Sequence, residues 1–134
     1  MTAARDDASK GKDEGNGEVK LQDLADNIPG VLIRLERDVH GAIEVQCISS
    51  RCADMFEMPP HEMLGDARTL WDLIDPQDLP GLQTAIAQSA QSLQPWVWMG
   101  SVTTPSGRRK WMQGSGQPRR QANGNTVWDS LLVD

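Results

Sequence analysis

Three strand-like runs in the last third of the chain constrain its fold more than any other feature. They cover residues 94–104, 108–117 and 125–134, and each contains tryptophan among residues that favour strands. Gly107 ends a Pro-Ser-Gly turn and Gly124 ends an Asn-Gly turn between them. Glycine and asparagine tolerate the positive φ that tight turns require. The pattern predicts an antiparallel three-stranded meander, one face of which the rest of the chain must cover.

The residues before the meander predict a hairpin followed by helices. Alternating apolar residues on both sides of a Gly-containing turn indicate two strands, and the period of 3.6 residues then indicates helices. The whole order, ββαααβββ, predicts an α+β fold with a five-stranded antiparallel sheet and short helices on one face. The first strands are expected at residues 31–37 and 42–48, the short helical segments at 51–58, 61–65 and 69–75, and a longer helix at 79–92.

The first part of the chain differs in composition from the rest. Residues 1–17 contain no large apolar side chain after Met1. Such a segment cannot bury enough surface to offset its ordering entropy, so we expect a disordered leader. A folded domain is expected over residues 18–134, beginning with a short amphipathic helix that stops before Pro29. The apolar residues of that helix are Val19, Leu21, Leu24 and Ala25.

Charge and cysteine content limit the partners and the compartment. The net charge of −6 argues against nucleic acid or an anionic membrane as a general partner. No apolar run reaches the length of a membrane span, and the two cysteines are too few for a disulfide framework. We therefore expect a cytoplasmic protein without direct membrane contact. The five basic residues within 105–120 predict either a solvated hairpin edge or a docking patch for an acidic partner.

Several short motifs, in this order, resemble those of the PAS domain, and the resemblance runs from about residue 19 to residue 134. The subgroup it resembles is common in bacterial sensor kinases, diguanylate cyclases and chemoreceptors. The motifs are Asn27-Ile-Pro-Gly30, Glu62-Met-Leu-Gly65, Leu73-Ile-Asp-Pro-Gln-Asp78, Pro105-Ser-Gly107 followed by Trp111, Pro118-Arg119, and the closing Gly124, Trp128 and Asp134.

The resemblance implies a ligand pocket between the inner face of the sheet and the short helices. Strand alternation then divides the meander into two faces. The candidates for the pocket are Trp98, Gly100, Val102, Met112, Gly114, Gly116, Trp128, Ser130 and Leu132, with Met55, Phe56 and Trp71 from the helices. The candidates for a dimer or output face are Val97, Met99, Trp111, Leu131 and Val133, with Leu21 and Leu24 from the first helix.

The same resemblance bears on cofactors. In the photosensory subclass a cysteine forms a bond with flavin, but Ala67 stands at that position here. In the haem-binding subclass a histidine of the long helix is the axial ligand, and residues 79–92 contain none. We therefore expect neither chemistry. A noncovalent flavin stacked on Trp98 and Trp128 is the open alternative, and the competing interpretation is that these rings fill the core.

The remaining metal-ligating residues predict no site. His40 and His61 are expected at the surface, and Cys47 and Cys52 are expected as small buried residues. The two histidines and two cysteines do not have the spacing of a metal motif. The carboxylates of the Leu73–Asp78 motif are expected to make local bonds at turns and helix caps.

The sequence thus predicts a sensory domain of a bacterial signalling protein. It would bind a small ligand and relay the change to an output module. One alternative is a cofactor-free dimerisation or protein-interaction module, and a second is a redox sensor with noncovalent flavin. We expect no enzymatic activity in this chain, although a longer parent could be a histidine kinase or a diguanylate cyclase. A homodimer and an effector bound at the outer sheet face are the expected partners.

Overall fold

The computed structural model describes residues 30–134. The expected leader and the helix that carries Leu21 and Leu24 lie outside the described residues. The strands are β1 (Gly30–Arg37), β2 (Ile43–Ile48), β3 (Gly65–Asp66), β4 (Trp96–Thr103), β5 (Arg109–Arg120) and β6 (Thr126–Val133). The helices are α1 (Cys52–Met55), α2 (Pro60–Met63), α3 (Arg68–Leu73) and α4 (Leu79–Ser92).

One antiparallel sheet organises the domain, with strand order β3-β2-β1-β6-β5-β4. The first and last strands lie side by side at its centre, with Gly30 opposite Val133 and Arg37 opposite Thr126. The predicted α+β fold, with an antiparallel sheet and short helices, is confirmed. The described residues contain six strands instead of five, because the two-residue β3 pairs with β2 at one edge.

The core lies between the sheet and the helices. Its largest fully buried side chains are Trp128, Phe56 and Met63, which come from the last strand, the end of α1 and α2. The indole nitrogen of Trp128 donates a hydrogen bond of 2.8 Å to Ser89 Oγ on α4. That bond satisfies a polar group that would otherwise be costly to bury. It also fastens α4 to the middle of the sheet.

The bounds of α4 agree with the helix predicted from periodicity. Its buried residues are Leu82, Ile86, Ser89 and Ala90, which form one stripe along the helix. Pro80 lies in the first turn, where its missing N–H costs nothing. The helix ends at Leu93, which has a φ of 57° and donates its backbone N–H to the carbonyl of Ser89.

The expectation that Cys47 is buried is wrong. Arg34 pairs with Cys47, but the next residue of β1, Leu35, pairs with Val45. One residue of β2 is therefore left without a partner on β1. The extra residue is a β-bulge, and it reverses the alternation that follows it. Cys47 is therefore exposed and Ile48 is buried in its place. Cys52 is buried as expected, and the loss of solvation raises the pKa of its thiol.

The helix predicted over residues 51–58 is shorter than expected. It ends at Met55, and Glu57 adopts a left-handed backbone with a φ of 62°. The Glu57 carboxylate accepts hydrogen bonds from the backbone N–H (3.0 Å) and the hydroxyl (2.9 Å) of Ser106. These bonds hold the pKa of Glu57 below its usual range. The helix therefore ends where Glu57 adopts a left-handed conformation and bonds to the β4–β5 turn, which is distant in the sequence.

Candidate functional site

The alternation of the meander places its two predicted faces on opposite sides of the sheet. All nine meander residues proposed for the interior are buried, whereas Val97, Met99 and Trp111 are exposed and Leu131 and Val133 are half-buried. The arrangement follows from the period of two along each strand. The meander therefore has two separate surfaces, an interior one and an outer one.

Two tryptophan rings fill the interior space above the glycines. A Cβ built on Gly116 would lie 2.3 Å from Trp96 Nε1, and one built on Gly100 would lie 2.2 Å from Trp98 Cζ2. A Cβ on Gly114 would lie 3.1 Å from the Trp96 ring. Contacts this short leave no room for a side chain. The glycines are thus the floor on which the two indoles pack.

A cavity of about 20 Å³ remains between the rings, the helices and the sheet. A volume of this size holds about one water molecule. Six of the proposed pocket residues line it: Phe56, Trp71, Trp98, Val102, Ser130 and Leu132. The residues that the sequence analysis did not single out are Ile33, Leu35, Leu70, Ile74, Leu82, Ile86 and Trp96.

The other six proposed pocket residues lie outside the lining. Trp96 covers Gly114 and Gly116, the Trp98 ring covers Gly100, and Met112 is fully buried. Trp128 is held against α4 by its bond to Ser89, and Met55 borders a shallow surface pocket beside Lys110. Trp96 lines the cavity but was not among the pocket candidates, although the alternation of β4 predicts its inward position. It is two residues before Trp98 and therefore on the same face of β4.

The interior does not fit a flavin in this conformation. Drug- and cofactor-sized ligands occupy roughly 300–1,000 Å³, far more than the cavity offers. Trp98 and Trp128, proposed as stacking partners, instead pack within the hydrophobic core. The described residues contain no group of three or more His, Cys, Asp or Glu that could hold a metal ion.

The Leu73–Asp78 motif joins the helices to β4. The Asp75 carboxylate accepts hydrogen bonds from the hydroxyls of Ser101 (2.6 Å) and Thr103 (2.7 Å) and from Arg109 Nε (2.9 Å). Asp78 Oδ2 accepts from the Ser101 backbone N–H at 2.9 Å. The bonds from Ser101, Thr103 and Arg109 hold the pKa of Asp75 below its usual range. The expectation of purely local turn and cap bonds is therefore wrong, because both side chains bond to a strand more than twenty residues away.

Replacing Asp75 by asparagine is expected to lower the free energy of unfolding by about 1–2 kcal/mol at pH 7. Asparagine keeps one acceptor oxygen but loses the charge that Arg109 neutralises. A carboxylate with a lowered folded-state pKa stabilises the fold above its unfolded pKa, and this contribution disappears as the pH falls through the folded pKa. Urea unfolding should show the difference shrinking below about pH 4.

The matched control for this substitution is Asp72→Asn, because Asp72 is exposed on α3. An exposed change of this kind should stay within about 0.5 kcal/mol of the unmodified protein. An Asp75→Asn difference that does not change between pH 7 and pH 3 would contradict the assigned role of the carboxylate.

The outer surface of β4, β5 and β6 is apolar. We call Val97, Met99, Trp111, Leu131 and Val133 together the outer apolar face. The exposed fractions of its first three members are 74%, 56% and 55%, which are large for apolar side chains. A shallow groove crosses the face, and the other residues that line it are uncharged. A contiguous exposed apolar area of this kind marks an interaction surface.

A charged cluster borders the outer apolar face. Asp129 on β6 accepts hydrogen bonds of 2.8 Å from Arg34 Nε on β1 and from Arg119 Nη1 on β5. Partial burial opposes ionisation of Asp129, but these two bonds outweigh it and lower its pKa. The outer surface of the sheet therefore has an apolar half and a charged half. An apolar centre with a polar border is the usual anatomy of a protein interface.

The basic side chains of residues 105–120 form ion pairs or hydrogen bonds within the domain. Each of its five basic side chains has a partner in the fold. Arg108 pairs with Glu57, Arg109 with Asp75, Lys110 with the Met55 carbonyl, Arg119 with Asp129, and Arg120 with the Ala90 carbonyl. The run therefore joins the β4–β5 and β5–β6 regions to the rest of the domain.

Comparison with known families decides the classification. The family model described as the PAS fold matches residues 47–130, which is more than half of the chain. The chain belongs to the PAS family. The resemblance seen in the sequence motifs is thereby confirmed. The paired faces of the β4–β6 meander are the two surfaces of a PAS sheet. A search of curated protein sequences gives no match.

Solved PAS structures share this fold at low sequence identity. The N-terminal domain of a diguanylate cyclase with PAS/PAC sensor from Marinobacter aquaeolei gives a TM-score of 0.63 at 10% identity, over 77% of this chain and 94% of that one. A domain of a sensory box sensor histidine kinase/response regulator from Geobacter sulfurreducens gives 0.62 at 13% identity, over 92% and 100% of the chains. A light-oxygen-voltage domain studied with a flavin analogue gives 0.62 at 15% identity, over 92% and 89%.

No helix within residues 30–134 is both long enough and apolar enough to cross a bilayer. The longest of them, α4, has only one buried stripe.

Proposed function

We propose that this PAS domain is the sensory module of a bacterial signalling protein and that it passes its signal on through the outer apolar face. The observation that carries the proposal is the exposure of that face, with Trp111 at 55% and Val97 at 74%. Burying apolar surface contributes about 25 cal/mol per Å², so a partner that covers these side chains gains a substantial driving force. An effector such as a kinase or cyclase could follow in a longer parent protein.

A second copy of the chain is the partner that we propose for this face. The groove residues carry no ionisable side chain, so two copies could meet there despite the net charge of −6. Gly30, where β1 begins, lies opposite Val133. The segment that carries Leu21 and Leu24 therefore joins the domain at the border of the face, and we propose that these leucines contribute to the contact.

Replacing Trp111 by aspartate is expected to weaken dimerisation at least roughly tenfold, because buried tryptophans dominate the energy of interfaces. Light scattering after size exclusion, over a dilution series, measures the change. Val39→Asp is the control, because Val39 is an exposed apolar residue in the β1–β2 turn, away from the face. A full chain that stays monomeric at several hundred micromolar, or equal effects of both variants, would reject this dimer.

The sensory half of the proposal concerns the interior. A ligand there contacts both α4 and β4, so it could change how the helices lie on the sheet. A ligand can shift a conformational equilibrium only through different affinities for the two states. The cavity of about 20 Å³ holds about one water molecule in this conformation, so a larger ligand requires the cavity to widen.

Two other functions remain as candidates. A cofactor-free interaction module is favoured by the small cavity, because such a domain needs only the outer apolar face. A noncovalent flavin sensor is favoured only by the likeness to light-oxygen-voltage domains, and it requires Trp96 or Trp98 to leave its position over the glycines. The absorbance of the purified protein separates these two, since flavin colours the sample yellow.

A further inference from the structure

Two buried polar atoms in the cavity wall have no hydrogen-bond partner among the described residues. They are Trp96 Nε1 and Ser130 Oγ, on residues that are each only 4% exposed. Buried polar groups in native proteins nearly always have a partner, which can be a bound molecule. Both residues line the interior cavity. Neither atom is accessible from the cavity in this conformation, so a bound molecule reaches them only when the cavity widens.

Strand register brings these two atoms together. Trp96 pairs with Gly116 across β4 and β5, and Gly116 pairs with Ser130 across β5 and β6. The three residues form one row, with the glycine at its centre. A Cβ on Gly116 would lie 2.3 Å from Trp96 Nε1 and 2.7 Å from Ser130 Oγ. Both polar atoms thus lie beside the same point of the sheet surface.

The other two inward-facing indoles of the meander differ from Trp96. The N–H of Trp98 donates to the carbonyl of Asp78 at 3.0 Å, and the N–H of Trp128 donates to Ser89 Oγ at 2.8 Å. Residues 30–134 therefore supply an acceptor for each of these indoles but none for Trp96. This contrast singles out the Trp96 N–H as a donor that a bound molecule could satisfy.

We propose that Trp96 Nε1 and Ser130 Oγ bind the hydrogen-bond acceptor of a small, uncharged molecule. The inference rests on the proposed sensory function and specifies its ligand class. An indole N–H can only donate and a serine hydroxyl can donate, so the complementary atom is a carbonyl, hydroxyl or ether oxygen. No lysine or arginine lines the cavity, and a carboxylate buried without a positive partner would be costly.

The wall of the cavity suggests how such a molecule reaches the point. Trp71 and Ile86 line both the interior cavity and an open groove between the β2–β3 edge and α4. They therefore separate the cavity from solvent at this place. Trp71 is only half-buried, so rotation of its ring is a route between the groove and the interior.

The indole resonances of the five tryptophans test this inference directly, with the full chain labelled with ¹⁵N. Trp96→Phe assigns the Trp96 N–H signal, and acetone serves as the neutral acceptor probe. Acetone is larger than the single water that the cavity holds, so it binds only if the cavity widens. It should then move the Trp96 signal downfield with half-saturation at roughly 10 mM, a reasonable affinity for a four-atom ligand. Acetate, which has the same shape and a charge, should not. Ser130→Ala should weaken the acetone response of the Trp96 signal at least fivefold. Before acetone is added, this substitution should leave the other four indole signals in place.

The inference fails if the Trp96 signal does not saturate, if acetate moves it as acetone does, or if Ser130→Ala leaves the response unchanged. Failure of the proposed function looks different. If acetone saturates the Trp96 signal but the Trp111 signal and the dimer equilibrium do not respond, the binding point stands and the relay falls. If native mass spectrometry finds another bound molecule while acetone has no effect, the sensory function stands and this ligand class falls.

Discussion

Replacing Trp96 by alanine is expected to lower the free energy of unfolding by about 3–5 kcal/mol, as for other large buried aromatics. The cost should lie at the upper end of this range, because the ring lies over Gly114 and Gly116. Neither glycine has a side chain that could move into the space, so the cavity would persist. Urea unfolding at equilibrium measures the loss. Val39→Ala is the control, and because that side chain is exposed and lies away from the outer apolar face its effect should be below about 1 kcal/mol.

The cavity left in Trp96→Ala has the shape of an indole ring, which allows a second measurement on this variant. Indole supplied at millimolar concentration should bind in the space left by the Trp96 ring and raise the melting temperature of Trp96→Ala. It should not raise that of the unmodified protein or of Val39→Ala. A loss below about 1 kcal/mol, without rescue by indole, would show that the Trp96 ring does not fill the space above the glycines.

Replacing Gly100 by alanine is expected to cost about 2–3 kcal/mol through overpacking. The added methyl would lie 2.2 Å from Trp98 Cζ2 and 2.9 Å from Asp78 Cβ. Trp98 cannot easily move away, because its indole N–H is bonded to the Asp78 carbonyl at 3.0 Å. The substitution should therefore disturb both the tryptophan and the start of α4.

Gly81→Ala is the matched control for this prediction. Gly81 lies in the first turn of α4, and the nearest atom to its added methyl is 4.0 Å away, which is an ordinary contact. Alanine favours helix over glycine, so this variant should be unchanged or more stable by up to about 1 kcal/mol. Thermal unfolding should give a lower melting temperature than that of the unmodified protein for Gly100→Ala, and an equal or higher one for Gly81→Ala. A neutral Gly100→Ala would mean that the Trp98 ring is not packed against β4 as described.

Local patterns were sufficient to predict most of the fold. The turns at Gly107 and Gly124, both with positive φ, separate strands whose alternation is the one expected. The 3.6-residue period located α4 with the bounds that the structure shows. These features depend on neighbours within a few residues, and that is the range over which sequence patterns carry information.

The structure differs from the predicted fold where a contact with residues distant in the sequence decides the local conformation. The bulge in β2 follows from its register with β1, and it exposes Cys47 against the alternation. Glu57 leaves the helical conformation next to a bond to Ser106, forty-nine residues away. Asp75 and Asp78 occupy turn positions that favour local bonds, yet both bond to Ser101. Strand pairing and side-chain partners of this kind cannot be inferred from spacing along one chain.

The candidate site was predicted only in part, because the position of a side chain within the core also depends on distant contacts. Alternation assigns each residue of a strand to a face, but it does not give the direction in which a tryptophan ring lies. Alternation places Gly114 and Gly116 on the same inner face, and because interiors are close-packed a ligand or a larger side chain must occupy the space above them. The structure shows that the indole of Trp96 occupies it. Rotamers and packing, which fix the cavity at about 20 Å³, depend on all the neighbours at once.

Native mass spectrometry of the full chain as purified is the measurement that tests this account most directly, because it reports mass, bound molecules and oligomeric state together. We expect a dimer formed through the outer apolar face, converted to monomer by Trp111→Asp, with no flavin mass on either species. A monomer that carries a flavin at full occupancy would contradict the account, because it would require both the closed interior and the proposed dimer face to be wrong.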